Sequence, residues 1–352
     1  DCLPVFALLD RARRDGREMI AIAMGAAGLP TRVLAPARGA LLTFGSLDAQ
    51  HASAPGQVSA DELRHLYRLA SLNEQTLITG LIGAPVAHSV SPHMHNAAFA
   101  SLGLNGVYLP LEVDQLASFM RRMVRPATRE LDWKLRGLSV TAPHKTAIIE
   151  HLDEIDSAAR EIGAVNTVVV GEDGRLFGCN TDAAAAIAPL KQQADLNGAR
   201  VAVLGAGGAA RAVLWQLRRE GARTTIFARD LPRAANTAEQ FGAELAPLGD
   251  ASFGDFDVVI NTTPLGTRGA LVDESVVTAS QLRGASLVYD LVYNPPETRL
   301  LREARAAGCR VLGGLPMLIA QAAEQFRLWT NQEPPPFVMH EASARRLSAV
   351  AL

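Results

Sequence analysis

The chain has 352 residues, a length that favours two or three domains, and its composition of 48% hydrophobic and 20% charged residues is that of an ordinary globular protein. A net charge of −2 without a long basic run argues against nucleic acid or an anionic membrane as a partner. No apolar run reaches the ~20 residues of a membrane helix, there is no signal-peptide pattern, and three scattered cysteines cannot form a disulfide framework, so we expect a reduced, cytoplasmic protein.

The first elements predicted are two strands and a helix. Apolar runs at residues 19–25 and 40–46 predict buried strands, and apolar residues recur with helical spacing over residues 59–72. This helix begins with a Ser-x-x-Glu capping box. A polar joint follows it, and we therefore expect residues 1–76 to form a segment of their own.

Residues 77–182 predict a first α/β domain. Its elements are strands at 77–83, 105–113 and 135–141, a helix at 114–124, and two strands across an Asp-Gly turn within 164–181.

Residues 183–312 predict a second α/β domain, joined to the first by an alanine-rich helix at 182–194. Its near-continuous apolar strands alternate with helices, which is typical of a parallel sheet covered on both faces. An amphipathic helix at 316–330 belongs to a C-terminal segment, 313–352, that we expect to pack back on the first domain.

A glycine-rich loop opens the second domain in "VLGAGGAAR". Glycines separated by one residue, and then a small residue three positions on, match the dinucleotide-binding spacing, in which the turn is tight and the backbone approaches a pyrophosphate. The motif follows an apolar strand and opens a helix, the context that strengthens it. The expected cofactor-binding residues of the loop are Gly205, Ala206, Gly207, Gly208 and Ala209.

The end of the next strand predicts which dinucleotide binds. Arg229 and Arg233 could hold a 2′-phosphate with charge-assisted hydrogen bonds, which favours NADP. Asp230 between them could repel that phosphate and would suit the free ribose of NAD, so NAD remains the alternative.

Several polar residues are candidates for a substrate site. Ser89 and Ser91 stand just before a helix that we expect to start near His93, where they either bind a carboxylate or cap the helix. Lys145 is predicted to open a helix, where a cation is a poor structural choice and a plausible functional one. Asp182 also starts a helix, where a carboxylate is either a cap or a functional group.

Three histidines, His88, His93 and His95, surround the same proline turn. Their spacing lacks an acidic partner, so we expect no metal site.

Six ordered motifs resemble the shikimate dehydrogenase family over about residues 77–335. They are "GLIGAPVAHSVSPHMHNAAF" (80–99), "GLSVTAPHK" (137–145), "GAVNT" (163–167), "NTD" (180–182), "YNPPETRLL" (293–301) and "GGLPMLIAQAAEQF" (313–326). The resemblance implies a substrate domain and a Rossmann NADP domain, and the NADP-dependent interconversion of 3-dehydroshikimate and shikimate in a cleft between them. It also implies that Lys145, rather than the neighbouring His144, forms the acid/base pair with Asp182.

The resemblance implies roles for further residues. Ser89 and Ser91 would hold the substrate carboxylate; Thr141, Asn166 and Gln321 would bind ring hydroxyls; Tyr293 would line the pocket; and Thr263, Gly314 and Met317 would lie at the cofactor. The small-molecule substrate is the expected partner, and the sequence leaves the oligomeric state, a homodimer included, open.

One departure from the family pattern affects the cofactor. The family usually has Asn-Arg-Thr where this chain has Ala228, Arg229 and Asp230. This departure weakens the cofactor prediction, and an NAD-dependent quinate/shikimate dehydrogenase is the enzymatic alternative. A second alternative, from another class, is a metabolite-sensing regulator with the same fold. Retention of both Lys145 and Asp182 argues against the regulator.

Residues 29–59 resemble the C-terminal end of type I 3-dehydroquinate dehydratase, with Arg32, Ser53 and Gln57 at substrate-binding positions of that family. The resemblance implies an incomplete (β/α) barrel, of which only the last two units are present. That family acts through a Schiff-base lysine, and no lysine precedes Lys134. We therefore expect no dehydratase activity from this chain.

Overall fold

The computed structural model describes residues 2–48, 51–54, 56–87 and 89–349. The chain divides into two compact units. The first comprises residues 1–156, 165–179 and 325–346, and the second comprises residues 157–164, 180–324 and 347–352.

The α-helices are, in chain order, α1 (Leu3–Arg14), α2 (Leu29–Leu34), α3 (Ser91–Ser101), α4 (Leu116–Phe119), α5 (Ser157–Ile162), α6 (Asp182–Lys191), α7 (Gly208–Arg219), α8 (Leu231–Phe241), α9 (Ala279–Leu282), α10 (Arg299–Ala306), α11 (Leu315–Thr330) and α12 (Pro336–Ala349). The strands are β1 (Leu77–Gly83), β2 (Gly106–Glu112), β3 (Lys134–Val140), β4 (Glu154–Ile155), β5 (Thr167–Val170), β6 (Leu176–Cys179), β7 (Arg200–Leu204), β8 (Arg223–Ala228), β9 (Glu244–Pro247), β10 (Val258–Asn261), β11 (Leu287–Asp290) and β12 (Arg310–Leu312).

The first unit contains a mixed six-stranded sheet in the order β2-β1-β3-β5-β6-β4. Strand β1 pairs in parallel with β2 and β3, whereas β5 runs antiparallel to both β3 and β6. The predicted Asp-Gly turn joins β5 and β6: Asp173 Oδ1 accepts a hydrogen bond from the backbone N–H of Arg175 at 3.0 Å, and Gly174 has a φ of +83°. Strands β5 and β6 pair in antiparallel fashion across this turn, which confirms the hairpin prediction, and glycine adopts the positive φ without strain.

The second half of α11 packs against this sheet. The Trp329 indole N–H donates to the Val168 carbonyl of β5 at 3.0 Å, and its ring lies so close to Gly137 of β3 that a Cβ at that position would overlap it. The small residue in the middle of β3 is therefore what lets the helix reach the sheet.

The second unit contains an all-parallel sheet in the order β12-β11-β10-β7-β8-β9, with a fully buried core of apolar strand residues. The prediction of a parallel sheet is confirmed. Because β7 is the first strand of this sheet along the chain, the order is the doubly wound 3-2-1-4-5-6 arrangement, whose direction of winding reverses between β7 and β10. Ligands bind at the carboxyl ends of the strands at such a point.

The strands predicted at residues 19–25 and 40–46 are not formed. Only the isolated bridges Met19–Ala40 and Ser46–Ser59 remain of them. A strand needs a continuous ladder of backbone hydrogen bonds, and these two apolar runs have no neighbouring strand among the described residues. The expected barrel remnant stays a prediction.

The helix predicted at residues 59–72 is broken. A π-helical turn covers Glu62–Leu66, Arg68 adopts a left-handed φ of +51°, and a 3₁₀ turn follows at Leu69–Ser71. The Arg68 guanidinium donates to the Gly106 carbonyl of β2 at 2.7 Å, so a tertiary contact overrides the helical pattern. The capping box is confirmed: Ser59 N–H donates to the Glu62 carboxylate, and Glu62 N–H donates to Ser59 Oγ, both at 3.1 Å.

No helix in the described part of the chain has both the length and the apolar character that a membrane span requires.

Candidate active site

The glycine-rich loop connects β7 to α7 in the second unit. Gly205 has a φ of +104°, and a Cβ there would lie 2.9 Å from the Thr263 methyl at the end of β10. Gly207 is the N-cap of α7, and a Cβ at this residue would meet nothing within 4 Å. The loop residues Gly205 and Thr263 thus meet at the switch point of the sheet, and the open space beside Gly207 lies at the positive end of a twelve-residue helix.

Asn261, the last residue of β10, binds Thr263 at this switch point, and the sequence analysis did not identify it. Its Oδ1 accepts hydrogen bonds from the Thr263 N–H at 2.9 Å and the Thr263 hydroxyl at 2.7 Å, and its Nδ2 donates to Asp290 at 2.9 Å. Asp290 also accepts from Thr298 at 2.6 Å, and burial raises the pKa of its carboxyl. The Asn-Thr-Thr turn after an apolar strand was the available signal, because asparagine stabilises such turns by bonding its own backbone two residues on.

The residues expected to select the cofactor follow β8. Arg229 and Arg233 are both exposed, and Asp230 is the N-cap of α8, where its Oδ1 accepts the Arg233 backbone N–H at 3.0 Å. The Asp230 carboxylate, which we expected to repel a 2′-phosphate, therefore has a structural role as a helix cap. An aspartate cap stabilises a helix by about 1 kcal/mol.

The paired serines lie at the start of α3 in the first unit. The helix begins at Ser91, two residues before the expected position, and Ser89 Oγ accepts the Ser91 N–H at 3.2 Å. The Ser91 side chain is buried and that of Ser89 is half-buried. Ser89 thus forms a local hydrogen bond at the helix start, and it keeps its hydroxyl proton for a second partner.

Lys145 does not open an α-helix, so that prediction is wrong. It lies in the turn that precedes a 3₁₀ helix at Ala147–His151, because the chain after β3 tightens into successive turns. A five-residue 3₁₀ helix has little macrodipole, and the electrostatic argument from a helix start loses its force. His144 is buried, with Nε2 2.6 Å from the Val113 carbonyl, which gives it a structural role.

The first unit brings Thr141, Lys145 and Asn166 close to one another through the backbone. The Lys145 carbonyl accepts the Val165 N–H at 2.8 Å, and the Asn166 carbonyl accepts the Val140 N–H at 2.7 Å. Asn166 is 1% exposed, whereas the side chains of Thr141 and Lys145 are half-buried.

Asp182 is the first residue of α6 in the second unit and is 5% exposed. Asn180 supplies the cap: its Oδ1 accepts the N–H groups of Asp182 at 3.0 Å and Ala183 at 3.2 Å. The sequence left open whether Asp182 is an N-cap, and the structure answers that it is not. A buried carboxylate that the helix does not need as its cap is a candidate for function.

Four further predicted residues lie in the second unit. Gly314 packs against the Leu291 carbonyl so closely that a Cβ would overlap it, and Met317 is buried in the apolar core of this unit. Gln321 is 8% exposed and donates from Nε2 to the Leu318 carbonyl at 3.0 Å, while Tyr293 is half-buried.

Of the three histidines, His88 lies outside the described residues. His95 is fully buried and stacks on Tyr108 at 4.2 Å, and His93 is partly buried. Burial lowers the pKa of His95 to about 3, and burial together with the Arg346 charge lowers that of His93 to about 4. Both rings are thus neutral near pH 7, and within the described ranges no cluster of three histidine, cysteine or acidic residues could hold a metal ion.

The residues that resemble a dehydratase site lie in the first unit. Ser53 donates to Gln57 Oε1 from both its N–H, at 2.8 Å, and its hydroxyl, at 3.1 Å. Arg32 is 3% exposed and donates to the Phe44 carbonyl at 3.5 Å, and burial lowers the pKa of its guanidinium.

Comparison with known proteins decides the family. A NADP(+) shikimate dehydrogenase of Methanopyrus kandleri is 41% identical over 290 residues, which cover 79% of this chain and 98% of the relative. This chain belongs to the shikimate dehydrogenase family. Family models agree, with the shikimate dehydrogenase substrate binding domain matching residues 81–168, the shikimate/quinate 5-dehydrogenase model residues 187–295, and the shikimate 5′-dehydrogenase C-terminal domain residues 314–342.

A solved dehydrogenase shares the fold. The shikimate 5-dehydrogenase of Thermus thermophilus, in complex with NADP(H) and shikimate, is 41% identical with a TM-score of 0.68, and the match covers 77% of this chain and all of that one. The α/β prediction of a substrate domain and a Rossmann domain is confirmed.

The N-terminal resemblance is also confirmed. A type I 3-dehydroquinase model matches residues 1–74. The chloroplastic bifunctional 3-dehydroquinate dehydratase/shikimate dehydrogenase of Arabidopsis thaliana is 38% identical over 334 residues, 90% of this chain. The present chain spans 54% of that relative's length.

Proposed function

We propose that this chain is an NADP-dependent shikimate dehydrogenase, which interconverts 3-dehydroshikimate and shikimate. The proposal is supported by 41% identity over 290 residues to a NADP(+) shikimate dehydrogenase, of which the match covers 98%. The observation that carries the catalytic assignment is the capping of α6 by Asn180, which leaves the Asp182 carboxylate without that structural task.

The residues of the second unit fit a dinucleotide. The open space beside Gly207 leaves room for a pyrophosphate at the N-terminus of α7, and the exposed Arg229 and Arg233 suit a 2′-phosphate. When bound, NADP would supply the acceptor for a hydride from the substrate carbon. Thr263, Gly314 and Met317 complete the proposed cofactor set.

In the proposed mechanism, Lys145 and Asp182 act on the substrate hydroxyl that becomes a carbonyl. During oxidation its O–H proton passes to this pair while the hydride leaves the same carbon, and reduction reverses both transfers. Ser89 and Ser91 hold the carboxylate. Thr141, Asn166 and Gln321 bind ring hydroxyls and Tyr293 lines the pocket, so that a substrate lacking a hydroxyl would leave a protein group unpaired.

The test is an NADP-linked assay with shikimate that compares the chain with Lys145→Ala. We expect kcat to fall by about 10²–10⁴, the usual contribution of acid–base catalysis, with a modest change in KM. The matched control is Lys134→Ala, an exposed lysine at the start of β3. An unchanged kcat in Lys145→Ala would remove the assigned role, and quinate and NAD in the same assay test the alternative substrate and cofactor.

We further propose that the chain on its own does not dehydrate 3-dehydroquinate, because no lysine precedes Lys134 and a Schiff base needs one. An absorbance assay for the dehydrated product should detect none, whatever the outcome of the dehydrogenase assay, and product formation by the purified chain would refute the proposal. A cytoplasmic location, which three buried cysteines outside any disulfide support, and a homodimer stay predictions that fractionation and light scattering check.

A further inference from the structure

Five buried side chains form a polar chain, that is, a continuous series of hydrogen bonds, through the first unit. The Tyr108 hydroxyl donates to Ser139 Oγ at 2.8 Å, and Ser139 donates to Gln325 Oε1 at 2.7 Å. Gln325 Nε2 donates to Thr167 Oγ1 at 2.9 Å, and Thr167 donates to Asn166 Oδ1 at 2.9 Å. Each of the five residues is 6% exposed or less, so water does not compete for these bonds.

The side chain of Gln325 sets which groups donate and which accept along this polar chain. Gln325 Nε2 also donates to the backbone carbonyl of Asn166 at 3.2 Å, and a carbonyl can only accept. The amide nitrogen of Gln325 must therefore face Asn166 and Thr167, and its oxygen must face Ser139. The reverse direction, in which every proton points the other way, would place the Gln325 oxygen against a carbonyl oxygen.

The fixed direction determines how Asn166 presents its amide. Thr167 has one hydroxyl proton, and because it accepts from Gln325 it gives that proton to Asn166 Oδ1. With its oxygen held in this way, Asn166 turns its Nδ2 group to the opposite side. An asparagine amide is otherwise nearly symmetric in shape, so only hydrogen bonds distinguish its two ends.

Helix α11 holds Gln325 rigidly in place. Trp329, one turn further along the same helix, donates to the Val168 carbonyl of β5 at 3.0 Å, whereas Gln325 binds the carbonyl of Asn166, the residue just before β5. Gly137 provides the room for Trp329. A polar chain held by a helix with two such anchors is suited to orient a neighbouring group.

We propose that Gln325 is a positioning residue of this enzyme: acting through Thr167, it fixes the Asn166 amide so that Nδ2 is the group offered to a substrate hydroxyl. The proposal rests on the proposed function, in which Asn166 binds the ring. It adds that the substrate oxygen at this point is selected as a hydrogen-bond acceptor, by a residue that need not touch the substrate.

The experiment interrupts this series of hydrogen bonds with two separate substitutions. Gln325→Met removes the donor to Thr167 with little change in volume, and Thr167→Val removes the hydroxyl that holds Asn166. Thr167→Ser keeps the hydroxyl and is the conservative counterpart, and Gln332→Met alters an exposed glutamine just beyond α11 as the control. Urea unfolding of each variant identifies any that fold poorly, and either broken link by itself is sufficient for the test.

The readout is kcat/KM for shikimate and for the two monodeoxy analogues that keep the hydroxyl that is oxidised. In the wild type, the analogue without the hydroxyl bound by Asn166 should lose about 10- to 100-fold, the range of a hydrogen bond at a buried site. In Gln325→Met and Thr167→Val the ratio of kcat/KM for shikimate to kcat/KM for this analogue should fall to about three or less, while KM for NADP stays constant. Thr167→Ser and the control should keep the wild-type ratio.

The outcomes separate the two proposals. A wild-type chain without shikimate-dependent NADP reduction refutes the proposed function. An active wild type whose discrimination among the analogues survives in both broken-link variants refutes the positioning role alone. An equal loss for shikimate and both analogues also refutes it, because a purely structural defect lowers all three rates together.

Discussion

The buried histidine of α3 makes the first unit sensitive to acid. His95 is fully buried between Tyr108, Phe326 and Trp329, and its pKa is lowered by burial to about 3. Neither ring nitrogen has a hydrogen-bond partner among the described residues. The charged ring would therefore be desolvated without compensation, and the folded unit accepts only the neutral form.

The sign of the pH effect follows from the two pKa values. An unfolded histidine binds a proton below about pH 6.5, and folded His95 does not until about pH 3, so the free energy of unfolding falls as the pH drops through this window. A pH of about 4.5 lies about two units below the pKa of the unfolded histidine, and each unit is worth about 1.4 kcal/mol. His95 alone should then reduce the stability of this unit by about 3 kcal/mol relative to neutral pH.

The assay compares urea unfolding of the wild type and His95→Leu at neutral pH and at about pH 4.5. Trp329 lies 5.4 Å from the His95 ring, so tryptophan fluorescence reports on its surroundings. We expect the leucine variant to lose about 3 kcal/mol less on acidification than the wild type, whereas His340→Gln, at an exposed position of α12, should behave as the wild type. Equal acid losses in the wild type and His95→Leu would refute the reasoning.

Three substitutions test other parts of the structure. Gly205→Ala places a Cβ where φ is +104° and should raise KM for NADP at least about 10-fold, as cofactor titration would measure, while the apolar core stays intact. Gly137→Ala drives a Cβ into the Trp329 indole and should lower the free energy of unfolding by about 1–3 kcal/mol, whereas Gly249→Ala, whose Cβ meets nothing within 4 Å, should not. Asp230→Asn keeps a good helix cap and removes the negative charge, so the ratio of kcat/KM for NADP to that for NAD should rise; a constant ratio would show that this carboxylate does not influence the choice.

The second unit could be predicted well because its signals are local. The glycine-rich loop, the apolar strand before it and the helix after it are contiguous in sequence, and the structure forms all three as expected. The capping residues were less accessible. Asp182 and Asn180 both have side chains that cap helices, and sequence alone could not show that Asn180 forms the bonds.

The polar chain that ends at Asn166 could not be predicted. Ser139 and Gln325 are 186 positions apart in sequence, and their contact depends on how α11 packs over β3. A single sequence carries periodicity and turn signals but does not state which distant elements meet. Residues that act through a partner, as Gln325 is proposed to do, are therefore the ones that motif reading misses.

The N-terminal segment shows the same limit from the other direction. Its apolar runs have strand character, yet seven of the nine exposed large hydrophobic side chains of the described residues lie within residues 8–47, Met24 and Leu47 being 73% and 81% exposed. Strand propensity measures how well a side chain fits a half-buried, paired surface, and it has no effect where no ladder forms. The sequence of this segment has the pattern of β-strands, but the described residues contain no strands with which they could pair. Local pattern is thus a reliable guide to structure only where the partners that the pattern presupposes are present, as they are on both sides of β7 in the second unit.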